Sequence, residues 1–138
     1  MTDPSPPPPI DAERLARGAE MFRDIYAGVV PLPPPGFLEF ADVMLTQLFA
    51  EQWARPQLER RERRLITLAA VLALGEGDAW AIHLESALRN QEITPTEARE
   101  ILIHLAQYVG YPRVQGLVAR TEEIIARVTS ESGDASSR

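Results

Sequence analysis

The chain has 138 residues, of which 45% are hydrophobic and 25% are charged, a composition typical of one globular domain with its own core. It contains no cysteine, which excludes disulfides, thiolate metal sites and cysteine nucleophiles. Its net charge of −6 argues against a nucleic-acid partner, because phosphate binding relies on a basic surface.

Both ends of the chain have the composition of disordered segments. Residues 1–10 form a proline-rich arm that has neither the basic start nor the apolar centre of a signal peptide. Residues 130–138 are rich in serine and are predicted to be a disordered, frayed tail. The longest apolar run, at 65–74, is about half the length of a membrane span. We therefore expect a cytoplasmic protein with no membrane segment, folded over residues 11–129.

Six helical patterns lie between these ends, and no segment has the alternation of a strand. The first begins at the N-cap Asp11 and ends near residue 27, before a glycine. The second covers about residues 37–51 and keeps a helical period of apolar residues. The third, about 59–74, is charged in its first half and apolar on all sides in its second, which predicts that this second half is the buried centre of the core.

The last three helices are marked by their start and stop residues. The fourth covers about residues 78–89 and carries Trp80 and His83 on one apolar face. The fifth begins with a capping box in Thr94–Glu97, and the sixth covers about residues 113–128. An all-α domain of six helices is thus predicted. So much apolar surface on a short chain also predicts a homo-oligomer.

The two histidines are the only residues that ordinarily titrate near neutral pH. His83 lies on an apolar face, where a histidine is more often a core residue than a functional one. His104 lies four residues after Glu100, a spacing at which the carboxylate could hold and polarise the imidazole. The alternative is that the two side chains form a solvent-exposed pair on the helix that contributes little, and spacing alone favours this alternative. The sequence has no nucleotide-binding, zincin or hydrolase motif, and no histidine pair with metal-ligand spacing.

The third helix opens with the run Arg60–Arg64, although cations near a helix N-terminus oppose its dipole. One interpretation is a solvated face paired with neighbouring glutamates. The other is an anion site, because guanidinium groups pair bidentately with carboxylates. Arg63 and Arg64 directly precede the apolar half of the helix, so one of them should point inward.

Several sequence stretches follow one another in a characteristic order. They are Trp53-Ala-Arg-Pro-Gln-Leu, which leads into Arg-Leu-Ile-Thr-Leu-Ala69, then His83-Leu-Glu-Ser-Ala-Leu-Arg-Asn90, and finally 94–100 followed by 104–112. Together they resemble the gamma-carboxymuconolactone decarboxylases over about residues 12–128, most densely from 53 to 112. The resemblance implies the all-α, alkylhydroperoxidase-D-like fold around a buried helical hairpin. It also implies assembly into homotrimers or homohexamers.

The activity that the resemblance implies is the cofactor-independent decarboxylation of 4-carboxymuconolactone to the 3-oxoadipate enol-lactone, in the beta-ketoadipate pathway of aromatic compound catabolism. Peroxidases of the superfamily use a CxxC before the histidine, and here those places hold Glu76 and Ala79, which excludes that branch. Gln57 and Gln91 stand where glycines are usual, and Arg64 where a serine is common. Because a fold does not fix a substrate, two alternatives stay open. One is a lyase or isomerase acting on another small acidic substrate, and the other is a non-catalytic oligomeric binding protein.

The chemistry of this reaction suggests roles for particular residues. An enzyme must hold the carboxylates of the small substrate, stabilise an oxyanion and deliver one proton to carbon. His83 is the first candidate for the proton, because the resemblance also places a histidine there, and its apolar face should keep the ring neutral until a substrate carboxylate binds. No metal and no organic cofactor is expected. The other candidates are Arg63 and Arg55 for the carboxylates, Trp53, Trp80 and Tyr108 as further substrate contacts, and Glu100 and His104 as secondary acid–base or orienting groups.

Overall fold

The computed structural model describes residues 3–6 and 8–136, and in these residues all regular secondary structure is helical. In chain order the elements are α1 (Ala12–Tyr26), α2 (Glu39–Val43), which continues as a π-helical segment (Met44–Gln52), α3 (Arg60–Leu74), α4 (Gly77–Arg89), α5 (Pro95–Val109) and α6 (Tyr111–Ser136). The prediction of an all-α chain with six helices is confirmed. None of the described helices is long and apolar enough to cross a membrane.

The chain divides into two compact units, which together include the predicted folded span. The first comprises the described residues up to Asp24 together with Leu32–Arg55. The second comprises Ile25–Pro31 and the described residues from Pro56 onward, and therefore contains α3 to α6.

The first unit buries apolar side chains of α1 and of the second helix. The rings of Phe22 and Phe49 meet edge to face, with their centroids 5.1 Å apart. The predicted stripe of the second helix is only partly buried, since Phe37 and Phe40 are exposed. The helix begins after Phe37, and its later turns have π-helical hydrogen bonds five residues apart. The buried apolar residues of this helix are those spaced by four, Ala41, Leu45 and Phe49, and the polar Asp42 and Thr46 beside them are buried too.

The core of the second unit is built around α4, which packs against both α3 and α6. On α3 the side chains of Leu68 and Leu72 are buried, whereas Ile66 and Leu74 are 58% and 73% exposed. The prediction that the second half of α3 is buried on all sides is therefore wrong for the single chain. The physical reason is that its neighbours in the chain cover one face of α3 and leave the opposite apolar face uncovered.

The helix ends follow the expected cap chemistry at most positions. The Thr94 hydroxyl accepts a hydrogen bond from the Glu97 N–H, and the Glu97 carboxylate accepts one from the Thr94 N–H, which confirms the predicted capping box. Gly110, with φ of 93°, ends α5 as expected. A second capping box, between Glu59 and Glu62, starts α3.

The C-terminal end of α6 differs from the expectation of a frayed tail. The helix continues through residues 130–136, where Ser130 and Ser132 donate hydrogen bonds to carbonyl oxygens three and four residues earlier. The carboxylate of Glu131 also pairs with Arg89 of α4 at 2.8 Å. These contacts hold the last turns in helical form, while residues 137 and 138 lie outside the described residues. Residues 3–6 and 8–10 of the predicted arm have no regular secondary structure.

Candidate active site

The turn after α4 positions a carboxylate toward α3. Gln91 takes a left-handed conformation with φ of 55°, and the Glu92 N–H donates back to the Ala87 carbonyl at 2.9 Å. This is the Schellman arrangement, in which a left-handed residue reverses the chain at a helix end. Glycine is the usual residue in that conformation, so the backbone of Gln91 is strained. The reversal brings Glu92 into contact with Arg64.

Arg64 is fully buried and is held from several sides. Its Nε donates to Glu92 Oε2 at 2.6 Å, and its Nη2 donates to Glu92 Oε1 at 3.3 Å and to the Ile25 carbonyl at 2.5 Å. Its Nη1 lies 2.8 Å from His83 Nδ1. The Asn90 amide also donates to the Ile25 carbonyl, at 3.3 Å. The guanidinium charge is therefore compensated by a carboxylate of which only 7% is exposed, as a buried cation requires.

His83 lies between Arg64 and Tyr26 and is buried. Its ring is tilted against the Tyr26 ring, with the centroids 5.4 Å apart. Burial first, and then the charge of Arg64, lower the pKa of His83 to about 4. Burial raises the pKa of the Tyr26 phenol, an effect that the Arg64 charge partly offsets. At neutral pH the site therefore contains an uncharged imidazole and an uncharged phenol beside a paired guanidinium.

A second site of interest is an open groove of about 350 Å³ between α3 and α5. Glu100 and His104 both line it, but His83 does not. The His104 ring contacts Tyr108, with the centroids 5.1 Å apart, and no hydrogen bond joins Glu100 to His104 in the described chain. The described residues thus show no contact through which Glu100 orients His104, and this role stays a prediction. The groove is otherwise lined by Arg61, Leu65, Ala69, Glu97, Ile101 and Leu105.

The structure separates the remaining candidates. The inward-pointing arginine of α3 is Arg64, while Arg63, the predicted contact for substrate carboxylates, is half-buried. Trp80 has no exposed surface, and its indole donates to the Thr121 hydroxyl at 3.1 Å. It is therefore a core residue, which corrects its prediction as a substrate contact. Tyr108 is exposed on α5. Two candidates lie in the first unit, the half-buried Trp53 and the exposed Arg55.

Four contributors to the site were missed from the sequence: Tyr26, Glu92, Asn90 and the Ile25 carbonyl. The only available signal was Gln91, a residue in place of a glycine after the helix-ending asparagine. That position indicates a turn, but it does not indicate which side chain the turn brings toward α3. Among residues 3–6 and 8–136, no cluster of three or more histidine, aspartate or glutamate side chains could hold a metal ion.

Comparison with known proteins identifies related sequences. The carboxymuconolactone decarboxylase family matches residues 39–123. A 4-carboxymuconolactone decarboxylase of Acinetobacter baylyi is 33% identical over 86 residues, 62% of this chain and 63% of that protein. The nitrosuccinic acid decarboxylase npaB of Metarhizium robertsii is 27% identical over 95 residues, 69% of this chain and 63% of that protein. The matches thus span less than two thirds of either relative, and no solved structure matches the chain significantly.

Proposed function

Because the chain belongs to the carboxymuconolactone decarboxylase family, we propose that it is a carboxy-lyase that removes CO2 from a small carboxylated substrate and uses no cofactor. The observation that most directly supports a role for this site is the buried His83, held at 2.8 Å from Arg64. A preorganised N–H donor stabilises a developing anion far more strongly in a site of low dielectric constant than it does in water.

The first candidate substrate is 4-carboxymuconolactone, the compound in the name of the Acinetobacter relative. When its carboxylate leaves as CO2, the electron pair of the broken bond moves through the adjacent alkene to the lactone carbonyl oxygen. Protonation at carbon then yields the 3-oxoadipate enol-lactone. The negative charge therefore develops on an oxygen atom, which a hydrogen-bond donor can stabilise.

The second candidate is nitrosuccinic acid, because the fungal relative named for it aligns with 69% of this chain. Loss of CO2 from its nitro-bearing carbon leaves a nitronate, whose charge also lies on oxygen. The two candidates share one chemical requirement, namely a carboxylate on a carbon whose electron pair can pass to an oxygen acceptor. We propose that this class of acid is the substrate class, and that aromatic compound catabolism is the pathway if the lactone is preferred.

The experiment is a panel assay with the purified protein. We expect CO2 release from 4-carboxymuconolactone or nitrosuccinate and none from succinate, which has no oxygen acceptor for the electron pair. The absorbance change of the lactone provides a second readout. If neither acceptor-bearing acid loses CO2 while calorimetry detects its binding, the protein is a binding protein and the proposal is wrong.

The role of His83 is tested with a matched pair of histidine variants. We expect His83→Ala to lower turnover by about 10²-fold or more, the usual effect of removing one donor to an oxyanion. His104→Ala should retain near-normal turnover, because His104 lines the separate groove between α3 and α5. Circular dichroism should show that both variants are folded. Near-normal turnover of a folded His83→Ala protein would exclude this site.

A further inference from the structure

Arg64 has the chemistry of a carboxylate-binding residue but not the accessibility. A guanidinium has five N–H donors. In Arg64 the Nε donor faces Glu92, the two Nη2 donors reach Glu92 and the Ile25 carbonyl, and one Nη1 donor faces His83. The side chain has no exposed surface. Its charge therefore acts on His83 and Glu92, and a substrate carboxylate would have to displace these contacts to reach it.

The contact between Arg64 and His83 determines which ring nitrogen carries the proton. A guanidinium group can only donate hydrogen bonds, so the His83 Nδ1 atom must accept one. Protonation of Nδ1 would place two N–H groups against each other across 2.8 Å. The stable form of the ring is therefore neutral, with its single proton on Nε2.

Two further titratable groups of the described residues, Tyr26 and Glu92, lie around this contact. Tyr26, at the end of α1, faces the ring as a neutral phenol because burial raises its pKa. The Glu92 carboxylate lies on the Nε side of the guanidinium, where it anchors Arg64. Glu92 therefore holds Arg64 in place, and the nearest full charge to the His83 ring is a cation.

We propose that Arg64 is a positioning residue that fixes His83 as the neutral tautomer with its proton on Nε2, so that His83 acts on the substrate as a hydrogen-bond donor to the forming oxyanion and not as a cationic acid. The part of this inference that concerns the substrate rests on the proposed function. In the step itself the bond between carbon and carboxylate breaks, CO2 leaves, and the electron pair moves to the acceptor oxygen, which the Nε2–H group stabilises. The carbon then takes a proton from water, which leaves hydroxide, and His83 remains neutral throughout.

The resting protein provides a test that does not depend on turnover. The chain has only two histidines, so ¹⁵N spectra of histidine-labelled protein can be assigned by comparison with His104→Gln. We expect His83 to show an unprotonated Nδ1 and a protonated Nε2, and to stay neutral in a titration from pH 8 down to about 5. A proton on Nδ1, or an imidazolium at pH 6, would overturn the inference.

Removal of the Arg64 charge tests its positioning role. The double variant Arg64→Met/Glu92→Gln removes both members of the buried pair, so that no charge is left buried without its partner. We expect the pKa of His83 to rise in this variant, because the nearby positive charge that disfavours the protonated ring is gone. The matched control is Arg99→Met/Glu122→Gln, which removes an exposed pair with an N–O distance of 2.8 Å and should leave the pKa of His83 unchanged. If the first variant does not fold, the spectra of the wild-type protein still decide the tautomer.

Turnover distinguishes a donor from an acid. A cationic acid would lose activity as pH rises through its pKa, whereas a neutral donor predicts a kcat that is constant between pH 5.5 and 8.5. We also expect His83→Gln to retain at least about 10-fold more activity than His83→Ala, because the glutamine amide can donate a hydrogen bond. A kcat that falls steadily above pH 6.5, or equal losses in the two variants, would overturn the donor role. If the ¹⁵N spectra are as expected but no acid loses CO2, the proposed function is refuted and the tautomer assignment still holds.

Discussion

At the scale of single residues, the buried histidine shows how position changes the chemistry of an ordinary side chain. His83 and His104 are the same residue type in two different environments. His104 is exposed on α5 beside Tyr108, while His83 is enclosed with a cation at hydrogen-bond distance. Desolvation and the neighbouring charge disfavour the protonated ring, and both effects act in the same direction.

The lowered pKa of His83 predicts a specific loss of stability in acid. Between 6.5, its ordinary value, and about 4, its value in the folded protein, the unfolded chain binds a proton that the folded protein does not. His83 therefore makes its full contribution to the free energy of unfolding above pH 6.5. This contribution decreases as the pH falls toward 4, by about 3 kcal/mol for a shift of this size.

We expect denaturant unfolding at pH 7 and pH 4 to show a larger loss for the wild-type protein than for His83→Gln, which has no titrating group at this position. Carboxylates that titrate in the same range affect both proteins equally, so the difference between the two losses isolates His83. Equal losses in the two proteins would mean that His83 is not held in its neutral form by the fold.

At the scale of secondary structure elements, the C-terminal turn of α4 links local backbone conformation to the site. Gln91 must take a left-handed conformation for the chain to reverse, and the next residue is the carboxylate that anchors Arg64. A side chain with a β-carbon is strained there, whereas a glycine is not. The turn therefore keeps its geometry at a cost to stability.

Replacement of this residue should stabilise the protein. We expect Gln91→Gly to raise the free energy of unfolding by about 0.5–1 kcal/mol, because relief of the left-handed strain exceeds the entropy that glycine loses on folding. The control is Gln107→Gly, at an exposed position inside α5. This variant should lower the free energy of unfolding by about 1 kcal/mol. Both are measured by denaturant unfolding at pH 7. A loss of stability in Gln91→Gly would mean that the turn does not impose this strain.

At the scale of the whole molecule, the uncovered apolar surface supports the prediction of a homo-oligomer. On α3, Ile66, Ala70 and Leu74 are exposed and lie four residues apart, so they form one apolar stripe. In the first unit, Phe37 and Phe40 are 83% and 76% exposed. Large apolar patches on a small protein indicate a surface that another chain covers. We propose a trimer or hexamer of this chain as that arrangement.

Sedimentation velocity at about 10 μM tests the assembly. We expect the wild-type protein to sediment as a homo-oligomer, and Ile66→Glu to shift it toward the monomer because a charge in an apolar interface is costly to desolvate. Thr96→Glu, which adds the same charge at an exposed position at the start of α5, should leave the assembly unchanged. A wild-type protein that sediments as a monomer would contradict the prediction.

What the sequence determined by itself about this protein is local. The start of α1 at Asp11, the capping box at the start of α5 and the stop at Gly110 were all predicted, because caps depend on residues within one turn of each other. The order of short motifs was sufficient to predict the family. The sequence also indicates the inward orientation of Arg64, because Arg64, Leu68 and Leu72 lie on one face of α3. The second half of α3 is apolar on all sides, however, so the hydrophobic pattern does not distinguish this face from the others.

Only the tertiary structure decided which groups meet at the site. Glu92 is 28 residues from Arg64 in the sequence, and Ile25 is 39 residues away. No local periodicity connects positions so far apart, because their contact depends on how α3, the α4 turn and the end of α1 pack. The tertiary structure likewise decided that one apolar face of α3 is buried and the other exposed. Hydrophobicity indicates that a surface prefers to be covered, but not whether the same chain covers it.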